Sequence, residues 1–147
     1  MGNKILNLQN PTEKMNKSDG QNLGTIFLMD DLKLVRKKIM SAVTDSESEV
    51  RFDETNKPGI SNLLSILSAI TGESIPDIEK RFAGHGYGDF KREVADTVCK
   101  LLEQIQTDYQ RFRKPDVLND ILTKGAEKAR VVATETLNRA KAALGLK

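Results

Sequence analysis

A chain of 147 residues with 38% hydrophobic and 30% charged side chains has room for one ordinary domain whose core needs no covalent staple. One cysteine, Cys99, and one histidine, His85, exclude an internal disulfide framework, a multi-cysteine zinc site and any chemistry that draws two imidazoles from this chain. The net charge of 23 − 21 = +2 is too small for a general polyanion binder. It is also uneven: residues 91–147 hold 12 Lys/Arg against 8 Asp/Glu (+4), and residues 30–56 hold 5 against 7 (−2). No apolar run approaches the roughly 18 residues of a membrane span. Met1-Gly2-Asn3-Lys4 lacks the apolar stretch of a secretory signal. The lone cysteine and the missing signal fit a reducing cytosol.

In chain order, residues 1–24 mix Asn, Lys, Ser, Gly and Pro11 with no sustained period and read as an irregular arm. Thr25 to Met29 is a short apolar run, either one extended segment or a buried linker. Asp30 and Asp31 offer N-caps for a helix over about 31–43 with Leu32, Val35, Ile39 and Val43 on one face. Lys33, Arg36, Lys37 and Lys38 fall mostly off that face. Thr44 to Lys57 is polar and acidic and reads as a loop. Pro58 suits the first turn of a broadly apolar, central helix over 58–71, with Gly72 as its stop. Ser74-Ile75-Pro76-Asp77 has capping-box form and opens a short helix to about Phe82. The three glycines of Gly84-His85-Gly86-Tyr87-Gly88 break the helix. Asp89 is placed to cap the longest helix, 89–112, with Phe90, Val94, Val98, Leu101, Ile105 and Phe112 on its stripe. Pro115 opens a short fifth helix. Gly125 separates it from a last one, with Ala129, Val132, Ala133, Leu137, Ala140 and Leu144 inside, that Gly145 ends. The fold class is all-α: a helical bundle with an irregular N-terminal arm.

The most informative segment is Pro11-Thr12-Glu13-Lys14-Met15-Asn16-Lys17-Ser18-Asp19. Two lysines three apart, among small polar residues and next to Gly20, suit a mobile loop. Such a loop presents ammonium groups and hydroxyl or backbone donors to a phosphate chain. A lysine that meets charge building on a leaving pyrophosphate acts selectively in the transition state, where binding energy raises rate. An exposed polar linker is the plain alternative.

The run Lys14-Met15-Asn16-Lys17-Ser18 resembles the KMSKS signature of class I aminoacyl-tRNA synthetases, with Asn16 in place of the first serine. Other stretches are similar, in order, to bacterial tryptophanyl-tRNA synthetases: Gly2 to Leu8, Pro11-Thr12, Ala42 to Ser46, Val50 to Asp53, Tyr87 to Lys91 and Gly125 to Ala129. Asn56 to Gly72 is the closest of them, nearly position by position. The resemblance implies the C-terminal portion of a tryptophan–tRNA ligase, a cytoplasmic homodimer that activates tryptophan with ATP and Mg2+ and transfers it to tRNA(Trp). It implies that Lys14, Met15, Asn16, Lys17 and Ser18 form the ATP/pyrophosphate loop, with Lys14 and Lys17 catalytic and Ser18 a phosphate-side donor. It further implies a division into residues 1–29, loop and linker arm, and residues 30–147, an anticodon-binding-like helical domain with a C-terminal helix. Asn16 departs from the pattern: its amide still donates but is bulkier than serine.

The family's HIGH-type sequence needs two histidines, and Gly84-His85-Gly86-Tyr87 is not that motif. No alternating β/α pattern precedes the loop. The chain therefore reads as a fragment, inactive alone, whose missing nucleotide-binding half is a partner. His85 reads as an exposed loop residue and Cys99 as a small, mostly buried one. No carboxylate pair, triad or metal cluster stands out, and Asp30-Asp31 reads as capping. Arg111, Arg113 and Lys114 gather near Tyr109 and Phe112, where guanidinium and aromatic planes suit a single-stranded RNA loop. Cations at the negative pole of a helix explain the same cluster, and Phe112 reads as core. The alternative function is a stand-alone helical tRNA- or RNA-binding module without catalysis.

Overall fold

The computed structural model describes residues 4–20 and 22–146. Gly2 and Asn3 of the lead-in to the loop lie outside them. Among the described residues there are five α-helices, a single 3-10 turn at Lys17–Asp19, and no strand beyond one isolated bridge between Leu6 and Lys14. The helices are α1 Leu32–Met40, α2 Pro58–Thr71, α3 Ile75–Arg81, α4 Tyr87–Phe112 and α5 Pro115–Ala143. The all-α expectation holds.

Contacts divide the chain into two compact units, Met1–Gln106 and Thr107–Lys147. The core of the first is built on α2, where Ile60, Leu63, Leu64 and Leu67 are fully buried. Each such side chain contributes roughly 1.5–3 kcal/mol on leaving water. Val35 and Ile39 of α1, Ile78 of α3 and Phe90, Val94, Ala95, Val98 and Leu102 of α4 complete it, together with Leu8 from the arm. Phe82 meets Phe90 edge-on at 5.1 Å. The stripe of α4 thus runs through Leu102, while Leu101 is exposed.

Local signals explain the helix ends. Asp31 accepts from the amides of Lys33 and Leu34 at 2.9 and 3.3 Å. Ser74 caps α3 with Asp77, and Gly72 closes α2 in the left-handed region. Pro58, Pro76 and Pro115 all sit in first turns, where a missing N–H leaves no bond unmade. Gly59 has a steric reason: a Cβ there would sit 2.0 Å from the Val43 carbonyl oxygen. The α4 helix begins at Tyr87, two residues before the expected cap Asp89, which instead pairs with Arg92 in the first turn.

Three expectations are corrected. Gly125 does not separate two helices but lies inside the 29-residue α5, because one exposed glycine costs a helix only about 1 kcal/mol. The apolar residues of α5 are not inside: none of its residues is buried. Phe112 is not core, being 45% exposed with the Arg111 guanidinium stacked on it at 4.4 Å.

An ion cluster around a buried lysine joins the acidic loop to α2. Lys57, 1% exposed, pairs with Asp45 at 3.2 Å and with Glu47, and donates to the Tyr87 hydroxyl at 2.9 Å. Burial opposes its charge, and the hydrogen bonds it donates to Glu47, Tyr87 and Asp45 outweigh burial and raise its pKa. Burial also opposes the Asp45 carboxylate. Hydrogen bonds from the Tyr87 hydroxyl, the Glu47 amide and Lys57 outweigh it and hold Asp45 below the usual carboxylate range.

The lowered Asp45 pKa stabilises the fold above the unfolded carboxylate value of about 4 and stops doing so as pH falls through the native value. The raised Lys57 pKa stabilises below about 10.5 and fails as pH rises past its native value. Thermal melts are expected to be flat between roughly pH 5 and 9 and to fall below about pH 4. Lys57→Met is expected to lose about 1–3 kcal/mol in urea unfolding by removing the ammonium from the half-buried Asp45 carboxylate. Gly59→Ala is expected to lose about 2–3 kcal/mol by overpacking. Gly125→Ala, with nothing within 4 Å, is expected to raise helix content in circular dichroism.

Candidate functional site

Backbone hydrogen bonds fold residues 5–15 into a short hairpin. Asn7 donates to the Glu13 carbonyl at 2.9 Å and Met15 to the Ile5 carbonyl at 3.0 Å. At its tip, Asn7 Oδ1 accepts from the Gln9 and Asn10 amides, an Asx turn that places Pro11 and Thr12. The hairpin is fastened to the core in two ways. Asn62 of α2, 4% exposed, accepts from the Leu6 amide at 2.8 Å and donates to the Leu6 carbonyl at 2.9 Å. Leu8 is buried, donates to the Gly24 carbonyl at 2.9 Å and accepts from the Val43 amide at 2.8 Å.

The hairpin delivers Lys14, Met15, Asn16, Lys17 and Ser18 to one place. Met15 packs its side chain against the core. Asn16 Oδ1 accepts from the Ser18 amide at 3.2 Å and caps the 3-10 turn. Lys14, Lys17 and Ser18 are exposed. Lys4, Ile5, Lys14, Met15, Lys17, Thr25, Ile26 and Phe27 line a cleft of about 550 Å³. Three of these side chains are ammonium-bearing and none is acidic, so the lining has a positive bias without an internal counter-charge.

The far wall of the cleft is the turn over 25–30. Lys38 of α1 donates to the Thr25 carbonyl at 2.6 Å and to Asp30 Oδ2 at 2.7 Å, and Asp30 Oδ2 also accepts from the Phe27 amide at 2.9 Å. Thr25 Oγ1 donates to the Asn16 carbonyl at 3.3 Å. The apolar run from Thr25 to Met29 is therefore a loop, buried at Thr25 and exposed at Leu28 and Met29. Gln106 of α4 donates to the carbonyls of Leu28 and Asp30 at 2.9 Å each.

Sequence reasoning missed this wall. Lys38 was expected off the apolar face and Asp30 as a cap, yet their side chains are 2% and 5% exposed and only Asp31 caps α1. The available signal was spacing: Lys38 follows Val35 by three and adjoins Ile39, which puts it on the buried side. Lys4 was also missed as a cleft residue. His85 is exposed, as expected, with its ring 6.0 Å from Phe82. Cys99 is half-buried rather than mostly buried, its thiol 3.5 Å from the Leu32 carbonyl and pushed up in pKa by burial. In the second unit, Arg111 stacks on Phe112 and pairs with Asp108, and Arg113 lies 5.8 Å from the Tyr109 ring.

Removing the Asn16 cap is expected to loosen the 3-10 turn by about 1 kcal/mol. The Ser18 amide proton should then shift upfield in Asn16→Ala and stay near the wild-type position in Asn16→Ser, which keeps an accepting oxygen.

Residues 1–103 match the family model of class I tRNA synthetases (W and Y). The tryptophan–tRNA ligase of Oceanobacillus iheyensis is 51% identical over 146 residues, which is 99% of this chain and 45% of that protein. That of Listeria innocua is 48% identical over 145 residues, 99% of this chain and 44% of that protein. The tryptophanyl-tRNA synthetase of Mycoplasma pneumoniae superposes with a TM-score of 0.75 at 31% identity, covering 98% of this chain and 44% of that one. The Campylobacter jejuni enzyme complexed with ADP and tryptophan gives 0.64 at 30%, with the same coverage. The chain thus spans under half the length of the relatives it matches.

Proposed function

The chain belongs to the class I tRNA synthetases (W and Y), and on that footing we propose that it serves tryptophan–tRNA ligation: ATP-dependent activation of tryptophan and its transfer to tRNA(Trp). Its own contribution is the ATP/pyrophosphate loop of Lys14, Met15, Asn16, Lys17 and Ser18. Residues 1–29 act as the loop-bearing arm, and residues 30–147 as the helical, tRNA-facing part. The observation that carries this reading is the cleft that gathers Lys14 and Lys17 with Lys4 and no carboxylate. Lys17 and Lys14 would neutralise charge as pyrophosphate leaves, and the exposed Ser18 hydroxyl and backbone amides would donate to phosphate oxygens.

A nucleotide-binding half is the required partner, and the complete enzyme is a cytoplasmic homodimer under the same proposal. One histidine cannot supply the two-imidazole signature that completes the nucleotide site. Among the described residues no group of three His, Cys, Asp or Glu side chains converges. Mg2+ would reach this loop with the phosphates of ATP. No described helix is long and apolar enough to cross a membrane.

ATP–pyrophosphate exchange tests the proposal. The chain combined with a nucleotide-binding half is expected to exchange, and the chain alone is not. Lys17→Ala should slow exchange by roughly 10²–10³-fold, the loss seen for one oxyanion donor. Full activity in that variant would remove Lys17 from its role.

A second reading, a tRNA-binding helical module without catalysis, is favoured by the exposed guanidinium–aromatic stacks at Arg111–Phe112 and Arg113–Tyr109. Titration with tRNA(Trp) at two salt concentrations checks it. Phosphate contacts make affinity fall as salt rises, and salt-independent binding would argue against a phosphate-facing surface.

A further inference from the structure

We infer that Lys38 is a positioning residue for the phosphate loop: from α1 it fixes the wall of the lysine cleft, and through Thr25 it sets the backbone between Lys14 and Lys17. The inference rests on the proposed role of Lys14–Ser18, and it adds a residue that lies outside that loop.

Lys38 is one of the largest fully buried side chains of the molecule. Taking an ammonium out of water is costly, and a hydrophobic residue of similar volume often serves stability as well. Stability alone therefore does not account for a lysine here. Its acceptors do. Both lie on the segment 25–30, which belongs to no helix and has no ladder of its own. The ammonium bonds the Thr25 carbonyl at one end and the Asp30 carboxylate at the other. Asp30 Oδ2 also accepts from the Phe27 amide between them, and the Phe27 ring lies 5.4 Å from the same ammonium. One nitrogen thus closes the turn on three sides.

That turn is the cleft wall, since Thr25, Ile26 and Phe27 all line the cleft with Lys14, Met15 and Lys17. The last link is the bond from Thr25 Oγ1 to the Asn16 carbonyl at 3.3 Å. The path from α1 to the loop is therefore Lys38, Thr25, Asn16, with a direct contact at each step. A loop that must place an ammonium on a reacting phosphate gains from such a fixed reference, because misplacement by about 1 Å can cost on the order of a hundredfold in rate.

Three variants test the path. Lys38→Met keeps the stem and removes the ammonium, Thr25→Val removes only the hydroxyl, and Thr25→Ser restores it. On the 147-residue chain, backbone order parameters of Asn16, Lys17 and Ser18 are expected to fall from about 0.85 toward 0.6 or below in Lys38→Met and Thr25→Val. They should return to wild type in Thr25→Ser, with Leu63 and Leu64 of α2 unchanged throughout. Unchanged loop values in Thr25→Val, or an equal loss at Leu63 and Leu64, would overturn the inference. In the chain combined with a nucleotide-binding half, kcat for ATP–pyrophosphate exchange is expected to fall about tenfold or more in the first two variants. KM for ATP should stay within about twofold, and Thr25→Ser should recover the rate. A change in KM alone would count against positioning. If the wild-type pair shows no exchange, the proposed function fails, and the order parameters still decide the role of Lys38.

Discussion

The arm of this protein depends on one constraint: a stretch of backbone without a helix or a sheet is packed on a helical core, and every polar group it buries needs a partner. Asn62 meets the constraint at its centre. A side-chain amide offers an acceptor oxygen and a donor nitrogen side by side, so it can accept from an N–H and donate to a C=O as a neighbouring strand would, and Asn62 does both to Leu6. It sits on α2, where Gly59 to Leu64 are all buried. The central, buried helix of the unit therefore carries the group that sets the register of the hairpin. Leu8 adds an apolar anchor two residues on, with its own N–H and C=O spent on Gly24 and Val43. From these fixed points the chain can present Lys14 to Ser18 at a constant place without a strand to hold them.

Two buried lysines extend the same logic to the loops on either side of α1. Lys38 closes the turn before the helix, and Lys57 gathers Asp45, Glu47 and Tyr87 after it. Buried ion pairs add little net stability over apolar packing. What they supply is direction: an ammonium surrounded by fixed acceptors tolerates few alternative geometries. Lys91 does related work from α4, donating to the Ala42 carbonyl at 2.8 Å and to the Thr44 hydroxyl. Loops that would otherwise have many conformations are tied by these cations to the helical frame.

The parts legible in the sequence were those governed by local rules. Pro58, Pro76 and Pro115 mark helix starts, and Asp31, Ser74 and Gly72 cap because their own side chains or backbone permit it. The loop Lys14–Ser18 was legible as an ordered run of residue types. The parts that were not legible depend on partners distant in sequence. Nothing near Lys38 announces that its ammonium is taken up by Thr25 and Asp30, and nothing near Asn62 announces Leu6, which is 56 positions away. Gly125 misled for a different reason. Helix propensity is a weak prior that a long, otherwise favourable segment overrides. The apolar residues of α5 misled because periodicity reports which face is apolar and not whether that face is covered.

The division between rigid backbone and exposed ammonium groups bears on how the cleft would discriminate. Lys4, Lys14 and Lys17 line it without an acidic partner, yet the charges are solvated. Like charges in water repel by only about 1 kcal/mol even at 4 Å separation. Their mutual repulsion therefore costs little, and the three side chains need not be locked in place. A polyphosphate changes the balance, because several negative oxygens meet several donors at once and water is displaced between them. The gain grows further where charge concentrates on departing phosphates. Flexible lysine stems can follow that shift while the main chain beneath them, held by Asn62, Leu8 and Thr25, stays put. Under the proposed function, a site built in this way would be selective for the charge distribution of the transition state, which is where interaction energy raises a rate.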